Sequence, residues 1–353
     1  MIDLAWDFKE RDVGYEIRRD GILIADLDAS TFFYRDSSPL PGTHSYVFYR
    51  TKLNGSFPDG SDHVTSGYIQ GELHEDLTWS EGTYAYPALN PVMPGVTLTI
   101  EPGVKVSAKT QTFHPHGLYG EGILKIDGAV LELTDLWLQG DGSEITNSEV
   151  LPGTYGIKVE ADARLEGNTL GAVGYYFDIT EAAAVEMVAN VIQGRFGTSG
   201  SATLVMENNV LDFNVYSAFT LGSSATAVVS NNRIEYCPYY NGALRVNGSG
   251  AVTIRDNVFR CSTINRYSAT AIEVNADNPG IIQHNTFEGP YAYGDTDDAV
   301  AIEINAGADI AVEDNVFSEW PVALRVNGGA GTFTGNTFFN NGWAHGIVID
   351  GNG

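Results

Sequence analysis

The chain has 353 residues, of which 43% are hydrophobic, and carries a formal net charge of −26 with 40 glycines and two cysteines. A charge of that sign and size excludes nucleic acid and anionic membranes as partners. No apolar run of about 18 residues occurs, which excludes a helix through a bilayer, and Met1-Ile-Asp-Leu-Ala-Trp6 contains no basic segment leading into an apolar one, so no signal peptide is visible. The composition fits a turn-dense, solvated extracellular or cell-surface protein, either monomeric or part of a longer multidomain chain.

Residues 1–56 read as short strands. Trp6, the run from Tyr15, Ile22-Leu-Ile-Ala, Phe32-Phe-Tyr and Tyr46-Val-Phe-Tyr alternate with turns at Asp20-Gly21, Pro41-Gly42 and Asn54-Gly55. That spacing predicts a small antiparallel sandwich. Leu4-Ala-Trp6, Gly14-Tyr15-Glu-Ile-Arg-Arg-Asp20-Gly21 and Leu40-Pro41-Gly42-Thr43 ahead of Tyr46 resemble a fibronectin type III domain. The resemblance implies that Trp6 is a core residue of the second strand and that Tyr46 makes the tyrosine corner. The first strand of that family is missing, so truncation of upstream sequence, with any export signal, is expected.

Residues 57–75 read as a linker rich in Gly, Ser, Asp and Pro, and residues 76–353 as one long unit. Pro94-Gly-Val-Thr-Leu-Thr-Ile-Glu-Pro-Gly103 resembles the opening cap of right-handed parallel β-helix (pectin lyase-like) surface proteins. A solenoid end needs covering, because its first coil exposes apolar side chains and open strand edges. Ile123-Leu-Lys-Ile, Val130-Leu-Glu-Leu and Leu136-Trp-Leu continue in strict alternation. Glu181-Ala-Ala-Ala-Val reads as a wide turn or one helical turn. Bend asparagines follow at Asn147, Asn168, Asn190, Asn209 and Asn232.

From Ala243 to Asn341 one phrase recurs. Ala243-Leu-Arg-Val-Asn leads to Asn257-Val-Phe, Ala271-Ile-Glu-Val-Asn to Asn285-Thr-Phe, Ala301-Ile-Glu-Ile-Asn to Asn315-Val-Phe and Ala323-Leu-Arg-Val-Asn to Asn336-Thr-Phe. The distance from the leading Ala to the Asn is 14, 14, 14 and 13 residues, whereas the distance on to the next phrase varies from 8 to 16. One arc is rigid and one accepts insertions, as in a repeat protein. Period-two alternation gives strands, and stacked coils place like residues about 4.8 Å apart. The expected fold is therefore all-β, a parallel β-helix of about ten coils, right-handed as the resemblance implies. Asn232, Asn257, Asn285, Asn315 and Asn336 form a structural ladder in it, each amide bonding the coils above and below. The chain stops at Asp350-Gly-Asn-Gly within a coil, so a C-terminal truncation is expected as well.

Cys237 and Cys261 fall at nearly the same place on adjacent coils. They are either two small apolar residues stacked at the edge or a disulfide stapling the coils. The variable arcs carry Tyr239, Tyr240, Tyr267, Tyr291, Tyr293, Trp320 and Trp343. Rings on such loops either stack on sugars, giving a glycan-facing groove, or pack over the coil edge. On the neighbouring strand the outward residues read Lys158, Thr220, Arg245, Glu273, Glu303 and Arg325. Glu273 and Glu303 as close neighbours have the spacing of a retaining glycosidase pair; the alternative is an Arg-Glu-Glu-Arg charge ladder. Asn247, Asn275, Asn305, Asn327 and Asp350 beside it read as turn residues.

Asp295-Thr-Asp297-Asp298, with His345-Gly346 later, resembles the Asp-Asp and Gly-His-Gly phrases of polygalacturonase-type glycoside hydrolases. The resemblance implies Asp297 and Asp298 as the acid pair and His345 as the histidine. His345 lies two coils on where the family has it about one coil away, and no Asn-Thr-Asp precedes. A calcium-dependent lyase is a further candidate, with Asp295, Asp297 and Asp298 holding the calcium. Otherwise no cofactor is expected. The favoured expectation is a non-catalytic binding, adhesion or display scaffold touching polysaccharide, and the rival is a pectin-degrading lyase or hydrolase on the variable-loop face.

Overall fold

The computed structural model describes residues 2–5, 12–19, 22–28, 31, 33–36 and 46–52 of the N-terminal part. Of the rest it describes 73–79, 83–85, 90–107, 117–132, 135–151, 156–171, 176–212, 219–235, 242–261, 269–275, 279–289, 299–305, 307–328, 330–341 and 346–349. No helix is found among these residues.

Five N-terminal strands, β1 (Ile2–Ala5), β2 (Asp12–Arg19), β3 (Ile22–Asp28), β4 (Phe33–Asp36) and β5 (Tyr46–Lys52), form two antiparallel sheets, β1-β4 and β3-β2-β5. The expected antiparallel pairing is therefore present. Ile17 is fully buried, with Ile24, Ala25, Leu27 and Tyr34 packed around it. The ion pair of Arg19 on β2 with Asp36 on β4, at 2.7 Å, ties one sheet to the other. Trp6 lies outside the described residues.

The rest of the chain is a parallel β-solenoid. Its strands pile into three parallel sheets of twelve strands each. Sheet 1 runs from Leu77–Trp79 to Ala330–Thr334, sheet 2 from Thr83–Ala85 to Thr337–Phe339 and sheet 3 from Asn90–Pro91 to Ile347–Ile349. Each coil visits them in the order 1, 2, 3. Twelve rungs exceed the ten expected because the first rungs, built by the segment from Leu77 to Leu138, carry no bend asparagine by which to count them. The bridge from Leu73 to Val92 puts the first solenoid contact just ahead of residue 76.

The rigid arc has a simple cause. From the Ile123–Asp127 rung onward, the turn from sheet 1 to sheet 2 always has two residues. The first takes a left-handed conformation and the second points into the core. Gly128, Asn147, Gly167, Ala189, Asn208, Asn231, Asp256, His284, Asp314 and Gly335 occupy the first position, with φ between 50° and 68°. The second position holds the ladder. In each link the Oδ1 of one asparagine accepts both the backbone N–H and the amide of the preceding one, through Asn168, Asn190, Asn209, Asn232, Asn257, Asn285, Asn315 and Asn336, at 2.8–3.1 Å. All but Asn336 are buried. These bonds satisfy the polar groups that a buried bend would otherwise orphan.

One bend asparagine lies outside the ladder. Asn147 sits at the exposed left-handed position, and Ser148 takes the ladder place, with its hydroxyl accepting from the Ala129 N–H and its own N–H donating to Asn168. Of the two readings of Glu181-Ala-Ala-Ala-Val, the turn is the one found, and no helical turn is present. Glu181 turns the chain at φ 61° and Ala184–Val188 is a strand of sheet 1. Inside, like residues touch like. Phe259, Phe287, Phe317 and Phe338 form a column of stacked rings with centroids 4.9, 4.9 and 5.3 Å apart.

Candidate functional site

Sheet 3 is preceded in each coil by the arc of variable length, so its outer face is where insertions can build a site. Register fixes what that face presents. Its central outward column runs Tyr119, Trp137, Lys158, Asp178, Gly197, Thr220, Arg245, Glu273, Glu303 and Arg325. A second outward column, two residues further along each strand, includes Gln139, Glu160, Thr180, Ser199, Asn247, Asn275, Asn305 and Asn327. On the other side Ala243, Ala271, Ala301 and Ala323 also face outward by alternation but are fully buried, so this edge of the sheet is covered.

Toward the C-terminal end the columns are internally satisfied. Arg245 pairs with Glu273 at 2.9 Å, and Arg325 lies 4.0 Å from Glu303. Asn275 donates to Glu273 and Asn327 to Glu303, each at 2.9 Å. The residues expected to be plain turn positions form a second amide ladder, Asn275 donating to Asn247, Asn305 to Asn275 and Asn327 to Asn305, at 2.6–2.9 Å. Asp350 lies outside the described residues. Glu273 and Glu303 stand side by side in one column, each already held by a cation and an amide. With Arg245 and Arg325 on either side, the four residues have the form of a charge ladder.

Toward the N-terminal end the face is different. The Tyr119 and Trp137 rings meet edge-on at 6.1 Å, and the Lys158 ammonium lies 5.3 Å from the Trp137 ring centroid. Lys158 also pairs with Glu160, which accepts a further bond from Gln139 at 2.7 Å. Burial alone would raise the Glu160 pKa, but the Lys158 and Gln139 hydrogen bonds outweigh it and hold it below the usual range. Burial raises the Tyr119 hydroxyl. Asp178 is pushed upward by burial, with only partial compensation from the charges of Arg195 and Lys158. Trp137, Asp178 and Gly197 were not singled out as site residues from the sequence. Their signal was the same outward alternation that exposed Lys158 and Thr220, hidden by early coils of uneven length.

Trp320 is not a surface ring. It is fully buried in the solenoid core, because the arc from Glu319 to Pro321 is short and turns at Glu319 with φ 62°. Cys261 is buried and disulfide-bonded; the other cysteine of the chain, Cys237, lies outside the described residues. Tyr239, Tyr240, Tyr267, Tyr291, Tyr293, Trp343, Asp295, Asp297, Asp298 and His345 also lie outside them. Among the described residues no group of three His, Cys, Asp or Glu gathers as a metal site. A depression of about 300 Å³ on sheet 1, lined by Thr253, Gly280, Ile281 and Ala311 among others, is separate from this face.

The family described as "Right handed beta helix region" matches residues 135–295 and again 196–353. The chain belongs to that family. No curated protein and no solved structure matches it. Membership in the right-handed β-helix family agrees with the parallel sheets and repeated rungs, and leaves function to the site itself, since one scaffold hosts many activities.

Proposed function

We propose that this β-helix chain is a non-catalytic scaffold, secreted or held at a cell surface, that binds polysaccharide along the outer face of sheet 3. One observation carries the reading. From Lys158 to Arg325 the face offers a polar side chain on every rung except that of Gly197, at about 4.8 Å per rung, while its two neighbouring carboxylates, Glu273 and Glu303, are bound to Arg245, Arg325, Asn275 and Asn327. A linear polymer of hydroxyl-bearing units matches such a surface, and carboxylates so engaged serve recognition rather than proton transfer. The disulfide at Cys261 supports an oxidising compartment. The paired antiparallel sheets of the N-terminal part support its reading as a fibronectin type III-like module.

The test is affinity electrophoresis through gels containing neutral or acidic polysaccharides, with and without calcium, run beside an assay for released sugar ends or unsaturated products. Retarded migration without product is the expected result. Product formation that Asp298→Asn abolishes would replace the scaffold with a lyase or hydrolase.

A further inference from the structure

Gly197 interrupts the central column of sheet 3. Every neighbouring rung there carries a side chain: Lys158 and Asp178 on one side, Thr220 and Arg245 on the other. Most glycines of the solenoid have a structural reason. Gly142 and Gly200 have positive φ, and a Cβ at Gly140, Gly248 or Gly250 would collide with backbone. Gly197 has neither constraint. Its φ is ordinary, and a Cβ would sit 3.5 Å from the Asp178 Oδ1 and 4.0 Å from the Thr220 Cβ, in normal contact. A β-branched residue would suit this strand position better, so the missing side chain leaves space that folding does not require.

The walls of that notch are chemically unfinished. Asp178 is half-buried yet accepts no hydrogen bond among the described residues, and the charges of Arg195 and Lys158 only partly offset its burial. The hydroxyl of Thr180, two residues along the same outward face, is buried with no partner. Unpartnered acceptors at a partly desolvated site are costly unless a ligand completes them.

We propose that the notch over Gly197 is a subsite for one ring of a neutral sugar chain. Asp178 accepts two neighbouring sugar hydroxyls, and Thr220 supplies a further polar contact. A carboxylate without donors calls for O–H groups, and a vicinal diol presents two of them to its two oxygens. An acidic sugar would bring its own carboxylate against Asp178, while Lys158 is already engaged by Glu160. This inference rests on the polysaccharide reading above and places the first contact on it.

The experiment is isothermal titration of the full chain with cello-, xylo-, manno-, malto- and laminarihexaose, and with hexagalacturonate as the acidic comparator. It uses the natural sequence, Asp178→Asn and Gly197→Val. The expected result is binding of at least one neutral hexaose, weakened tenfold or more by each variant, with a melting temperature at or above that of the natural sequence. Unweakened binding in both variants overturns the notch and leaves the polysaccharide reading standing. Binding of hexagalacturonate alone overturns the neutral-sugar assignment. No binding of any probe by the natural sequence overturns the polysaccharide reading and the notch with it.

Discussion

The backbone N–H and the side-chain amide of Asn257 both donate to one atom, the Oδ1 of Asn285, at 2.9 and 3.0 Å. Asn285 in turn donates to the carbonyls of Ile254 and Gln283. Asn285→Ala would leave two buried donors and two carbonyls short of a partner. At about 1–3 kcal/mol for each buried group left unsatisfied, with partial relaxation, the expected loss is about 3–5 kcal/mol. Asn285→Ser should lose about half of that, because Ser148 fills the equivalent place with one hydroxyl that both accepts and donates. Urea unfolding of the two variants checks the order. Equal midpoints for Asn285→Ala and the natural chain would mean that the ladder is decoration.

The ladder and the phenylalanine column were legible in the sequence because the turn from sheet 1 to sheet 2 never changes length, so Asn257, Asn285, Asn315 and Asn336 recur in step with Phe259, Phe287, Phe317 and Phe338. The site was less legible. Successive ladder links span 22, 19, 23, 25, 28, 30 and 21 residues. Asp178 and Gly197 lie in the shorter, uneven coils, where spacing alone does not put them between Lys158 and Thr220. Trp320 was misplaced for a related reason: an aromatic beside a proline in a variable arc looks exposed, and only the short three-residue turn directs it into the core. Asn147 and Ser148 show a third limit, since both residues suit a bend and only the left-handed φ at Asn147 decides which one faces inward.

Ala189 holds a left-handed conformation, φ 55°, in a column whose neighbours are Gly167 and Asn208. An L-residue with a Cβ costs about 1–2 kcal/mol there, partly offset by the greater chain entropy that glycine loses on folding. Ala189→Gly should therefore stabilise the solenoid by about 0.5–1 kcal/mol. The reverse change next door, Gly167→Ala, should destabilise it, because its Cβ would approach the Asn147 Oδ1 to 3.0 Å at φ 67°. Thermal unfolding of the pair settles the sign; a loss of stability in Ala189→Gly contradicts the argument.

Trp320 fills the core with no hydrogen bond to its indole N–H. Trp320→Ala should cost about 3–5 kcal/mol through the cavity it leaves. Trp320→Phe should retain most of that stability, since no indole bond is lost. Polysaccharide retardation by the folded Trp320→Phe protein should match that of the natural sequence. Selective loss of retardation with stability intact would return Trp320 to the binding surface.

Asp178 should also reveal itself in the pH dependence of stability. Burial raises its pKa above the usual 3.8 in the folded chain, so the folded state holds the proton more tightly than the unfolded state. The favourable contribution is present below the unfolded value and is lost as pH rises through the raised one. At neutral pH the ionised carboxylate therefore destabilises the fold. Asp178→Asn, which cannot ionise, should melt at a higher temperature than the natural sequence at pH 7, and the gap should close as the pH falls below about 4, where the aspartate is also neutral. A side chain retained at a cost to stability, in a place where glycine also leaves room, is what a binding site requires. A lower melting temperature for Asp178→Asn at pH 7 would instead make the carboxylate a structural contact, and would remove the reason for expecting a ligand to complete it.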